Sequence, residues 1–141
     1  MKENYLITIE GLINMGDDAD SVCLTTVGSF YRKNDKHYIV YKETEATGFD
    51  GCTTSLKVWE NGVSMTRFGQ GNSSNLVIEK GAINLCNYTT VAGPIMLDIN
   101  GIEIINNLNE KGGELTFEYS LSAGGMLISD NKVNVKVKEI N

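Results

Sequence analysis

His37 is the single histidine of the chain, so any Ser-His-Asp or Cys-His arrangement has to pass through it. It stands beside Asp35 and Lys36 at the start of an alternating run, and a solvent-facing strand end explains it better than a catalytic base. One imidazole is also too few for a histidine-based metal site. Asp17, Asp18 and Asp20 offer hard oxygen ligands, but the glycine and terminal glutamate of a calcium loop are missing. A solvated hairpin turn accounts for them. Gly69, Gln70 and Gly71 have the composition of a phosphate-binding loop without the following helix whose amides and dipole would hold an anion. Cys23, Cys52 and Cys86 are odd in number and unevenly spaced, which fits neither a disulfide framework nor a zinc site. Buried thiols in a reducing compartment are expected. Glycosylation-type triplets begin at Asn72 and Asn87, and carry no meaning without secretion. No metal and no cofactor are expected, and the shortage of acid-base partners points away from an enzyme.

Composition narrows the partners. The chain has 141 residues, with 18 acidic and 12 basic side chains and a formal net charge of -6. That balance argues against a phosphate-neutralising surface, and so against nucleic acid as a partner. Hydrophobic residues make up 41%, enough for a core, yet no uncharged apolar stretch approaches the length of a membrane span. The opening residues MKENYLITIEG lack the apolar block and small-residue cleavage site of a signal peptide, so a cytoplasmic location is expected. One domain over residues 1–141 is the reading of that length.

The elements that must position any site are strands. Apolar residues recur with a period of two, in runs rich in Val, Ile, Thr, Tyr and Phe, punctuated by Gly, Asn and Asp. Ten runs emerge. Tyr5, Ile7 and Ile9 alternate in the first; an acidic turn from Met15 to Asp20 leads to Val22, Leu24 and Thr26 in the second. Residues His37 to Thr44, Thr53 to Glu60 and Val63 to Phe68 form the third, fourth and fifth. Asn61-Gly62 joins the last two as a type I′ hairpin signal. Leu76 to Glu79, Ala82 to Thr90, Ile95 to Ile105, Glu114 to Ala123 and Asn131 to Glu139 complete the set. The one proline, Pro94, sits where a strand begins and needs no ladder donor. Brief turns between consecutive strands favour an all-β antiparallel meander, best relieved of its edges by closing into a barrel of about eight to ten strands. A two-sheet sandwich satisfies the same alternation.

Alternation also sorts the polar residues by face. Ile39, Tyr41 and Glu43 share one face of the third strand; Thr54, Leu56 and Val58 one face of the fourth; Val63, Met65 and Arg67 one face of the fifth. The apolar majority marks these faces as interior. Glu43 and Arg67 then both point inward, with Thr54 between them. Strands two spacings apart lie about 9.5–10 Å from each other, a gap that two long side chains bridge. An unpaired buried charge is costly, so the two should be paired, hydrogen-bonded, or open to water. Two readings follow. A locked Glu43–Arg67 pair would set the register of a filled barrel; alternatively Arg67, with Glu43, Thr54 and the tyrosines Tyr41, Tyr88 and Tyr119, orients a ligand in an apolar cavity. On the opposite face, Phe68, Trp59 and Val77 are candidates for a homodimer contact.

The stretches GSFYRKNDKHYIVYKETEATG, TSLKVWENGVSMTRFG, YTTVAGPIMLDI and GGELTFEYSL, followed by a closing strand after Asn131, resemble the YwiB-like proteins of Gram-positive bacteria, a domain of unknown function. The resemblance runs through nearly the whole chain. It implies a single calycin-like (lipocalin-like) antiparallel barrel and brings no activity, cofactor or residue role with it. The matching positions are Tyr41, Glu43, Thr54, Lys57, Arg67, Gly69, Tyr88, Gly93 and Tyr119. Asp98-Ile99-Asn100-Gly101 departs from the pattern, where a more polar, threonine-containing strand is expected. Calycin barrels often hold small apolar ligands, which is an analogy of fold. The leading expectation is a non-enzymatic binding protein for a small amphipathic or anionic molecule, with a protein interaction or oligomerisation module as the competing class.

Overall fold

The computed structural model describes residues 4–44, 51–69, 72–90 and 93–140. Ten antiparallel strands follow one another as a meander: β1 (Tyr5–Met15), β2 (Asp18–Lys33), β3 (Lys36–Lys42), β4 (Thr53–Trp59), β5 (Gly62–Gly69), β6 (Asn72–Glu79), β7 (Ile83–Thr90), β8 (Gly93–Asn109), β9 (Gly112–Ala123) and β10 (Met126–Glu139). Their order in the sheet is β6-β5-β4-β3-β2-β1-β10-β9-β8-β7. First and last strands pair, Ile7 opposite Val137 and Ile9 opposite Val135, and the sheet ends β6 and β7 come together. The result is one nearly closed barrel and not a two-sheet sandwich. No helix among the described residues is long and apolar enough to cross a membrane.

Closure is incomplete in a specific way. β6 and β7 are consecutive and joined by a tight turn, yet no ladder connects them among the described residues. The turn is pinned instead to its neighbours: Gly81 donates to the Gly101 carbonyl, Gly101 donates back to Ala82, and Lys80 donates to Asn61. Farther along the seam the Cys86 thiol reaches the Asn75 carbonyl at 3.0 Å. Backbone groups of an edge strand must find partners or water, and here a side chain supplies one of them.

Inward positions make the core. Ile7, Ile39, Val58, Val63, Ile78, Ile99, Leu115, Phe117 and Val135 are fully buried, and each follows from the period-two alternation. β2 and β8 are far longer than their apolar runs suggest. β2 continues through Gly28-Ser29-Phe30 to Lys33, and the first turn is confined to Gly16-Asp17, with Asp18 and Asp20 already paired to Met15 and Ile13. In β8 the register slips between Gly101 and Glu103, leaving Ile102 as an extra residue. This irregularity directly follows Asp98-Ile99-Asn100-Gly101.

Two local expectations need correction. Glu60 and Asn61 join β4 to β5, Gly62 is already the first residue of β5 opposite Trp59, and neither Asn61 nor Gly62 has positive φ. Gly62 is needed for another reason: the Trp59 indole lies where its side chain would be, 2.4 Å from an added Cβ. The non-glycine residues with positive φ among the described residues are Asn34 (φ 53°) and Asp35 (φ 65°), between β2 and β3, side chains that tolerate this region. The cysteines also divide. Cys52 and Cys86 are buried, whereas Cys23 is exposed, because the alternation that puts Val22 and Leu24 inward turns the residue between them outward.

Candidate functional site

The site begins with a row of cross-strand partners. Tyr41 stands opposite Thr54, Thr54 opposite Arg67, and Arg67 opposite Ser74, so four consecutive strands, β3 to β6, place these residues on the inward face. Glu43 lies two residues beyond Tyr41 on the same face, its amide bonded to the Cys52 carbonyl at 2.8 Å. That anchor continues the β3–β4 pairing past the end of β3 and sets the carboxylate diagonal to Thr54 and Arg67, within side-chain reach.

Three donors converge on one carboxylate oxygen. Glu43 Oε2 accepts from Thr54 Oγ1 at 2.6 Å, from Arg67 Nη2 at 3.1 Å and from Arg67 Nε at 3.2 Å. The side chain of Glu43 is 1% exposed, that of Arg67 19%. The acid is therefore sealed in the wall, while part of the Arg67 side chain stays accessible. Charge-assisted hydrogen bonds of this kind offset the desolvation of a buried ion.

Around the pair lies a cavity of about 200 Å³. Its lining is mostly apolar, including Ile9, Leu56, Met65, Leu76 and Val133, with Tyr41, Glu43, Arg67, Tyr119 and Asn131 as its polar members. The phenol of Tyr41 is pushed well above its ordinary range by burial, with the Glu43 charge adding to the effect; Arg67 and a hydrogen bond with Thr54 oppose it. Burial also raises Tyr119, against a smaller opposing effect of Arg67. Both phenols accordingly stay protonated donors. The space far exceeds one water and falls below the roughly 300 Å³ at which sites for drug-sized ligands begin.

The structure brings Arg67, Glu43, Thr54, Tyr41 and Tyr119 together. The side chain of Tyr88 lies outside the described residues, as do Gln70 and Gly71. His37 is not a solvent-facing strand end: it stacks on Phe30 at 5.5 Å between centroids, and burial followed by the Arg32 charge lowers its pKa. Among the described residues no cluster of three His, Cys, Asp or Glu side chains could hold a metal. Sequence reasoning missed Asn131, which lines the cavity and donates to buried Ser129 at 3.0 Å. Its parity with Val133, Val135 and Val137 was the available signal.

The family model described as "Domain of unknown function (DUF1934)" matches residues 7–135. The chain belongs to that family. A solved structure, the ywiB protein from Bacillus subtilis, matches this DUF1934 chain with a TM-score of 0.84 at 21% identity, covering 100% of this chain and 96% of that one. At this identity the likeness shows the fold, a ten-stranded nearly closed barrel. No curated protein matches the chain, so the DUF1934 assignment carries no activity with it.

Proposed function

We propose that the barrel interior binds a small amphipathic molecule without transforming it. One observation carries the reading: in a mostly apolar cavity of about 200 Å³, the Arg67 side chain stays 19% exposed although its partner is sealed. A purely structural pair has no need of that space. Tyr119 and Asn131 on the facing strands add polar groups to the same lining, an arrangement suited to orienting one polar head over an apolar tail. The calycin-like architecture implied by the resemblance supports an interior ligand by analogy. We place this activity in the cytoplasm, where three free thiols, one of them exposed, are compatible with a reducing environment.

A protein interaction or oligomerisation module is the second reading, and the nearly complete burial of Glu43 favours it. The surface for a homodimer would include Phe68, 50% exposed on the outer wall. Native mass spectrometry of protein purified from its own cytoplasm separates the two. The binding reading predicts a copurifying small molecule on the wild type, lost in Arg67→Leu while the circular dichroism of the barrel persists. A wild type that carries nothing, takes up no added amphiphile and runs as a discrete oligomer would support the interaction module instead.

A further inference from the structure

We infer that Glu43 sets the ligand class: the cavity selects an amphiphile with an uncharged polar head and rejects its carboxylate counterpart. This rests on the interior-binding reading above and narrows it. Arg67 and Glu43 are the only charged residues lining the cavity among the described residues, and they already neutralise each other at 3.1 Å. A carboxylate arriving at the guanidinium would be the second anion for one cation. It would leave one negative charge uncompensated in a largely apolar enclosure, a cost that its hydrogen bonds do not return. An uncharged amide, or a hydroxyl, brings no such charge. It can still use the polar belt of Arg67, the protonated phenols of Tyr41 and Tyr119, and Asn131. A cationic head gains little, because Arg67 is the accessible member of the pair and the Glu43 carboxylate is sealed.

A second observation agrees. Val22 and Ile13 line the cavity, and Asp20 stands directly opposite Ile13, two residues from Val22 on the same strand face. Asp18, opposite Met15, follows it. Asp17 in the turn and Asp130 opposite Asn14 join them, so among the described residues four exposed acids stand at this barrel end against Lys132, opposite Leu12, and Lys42, an acidic excess that disfavours the approach of an anion.

Octanamide and octanoate have nearly isosteric planar heads on the same tail, and differ in charge at neutral pH. Ligand-observed NMR titrations of the intact protein with each should show octanamide bound at least about tenfold more tightly, the equivalent of 1.4 kcal/mol. Glu43→Gln, which keeps the size and an acceptor oxygen, should release the guanidinium charge and narrow or invert that ratio. The wild-type comparison stands even if the variant folds poorly. Octanoate binding as tightly as octanamide, or an unchanged ratio in well-folded Glu43→Gln, would overturn the inference while leaving interior binding intact. Binding of neither probe would remove the interior-binding reading and this inference with it.

Discussion

One carboxylate oxygen of Glu43 receives three side-chain donors. Deleting one donor has a calculable sign. Arg67→Leu leaves the Glu43 carboxylate buried without its counter-ion and should cost about 3–5 kcal/mol in urea-induced unfolding. Replacing both members, as Arg67→Leu with Glu43→Leu, should recover most of that loss, since an apolar pair often substitutes for a buried ion pair at little cost. If the double variant is no more stable than the single one, the pair is not the source of the effect. Tyr41 and Tyr119 predict an alkaline limit. Burial holds both phenols above the ordinary tyrosine value of about 10, so the folded state binds their protons more tightly than the unfolded state. The stabilisation is complete below pH 10 and declines as pH rises above it. Tyr41→Phe should flatten that decline in denaturation curves measured across the alkaline range. An equally steep decline in the variant would remove Tyr41 as its cause.

At the scale of the elements, period two made nearly all of the wall legible. The inward parity of Ile39, Tyr41 and Glu43 placed the acid correctly, because a strand that buries two alternate apolar residues buries the third position as well. Turn chemistry was less legible. Asn-Gly is a signal for positive φ, whereas Gly62 is required here by an indole packed across the hairpin, a tertiary demand that no dipeptide encodes. Gly62→Ala should therefore destabilise the barrel by about 1–3 kcal/mol and shift the fluorescence of Trp59, the single tryptophan. An unchanged spectrum and midpoint would mean that the ring moves aside freely. The polar run Asn72–Asn75 and the continuation of β2 past Gly28 were hidden for a related reason: their pairing partners, not their own composition, make them strands. Incomplete closure between β6 and β7 was equally hidden, since alternation describes faces and is silent about edges.

For the whole molecule, meander topology and closure follow from short turns and the need to cover sheet edges. The candidate site was legible in its charged half and not in its volume. Whether inward side chains fill a barrel depends on how Ile9, Leu56, Met65 and Leu76 interdigitate around Gly11, and packing at that level is a property of coordinates. Asn131 escaped notice because it opens a run of mixed polar residues whose inward parity is set by the valines that follow. The central claim, that the interior receives an amphiphile, is tested most directly by methyl NMR of the isotope-labelled protein titrated with octanamide. Saturable shifts confined to the Met65, Leu56, Leu76 and Val133 methyls, attenuated in Arg67→Leu, are the predicted result. Shifts restricted to outward methyls such as those of Ile83 and Leu85, or no saturable shift at all, would contradict it.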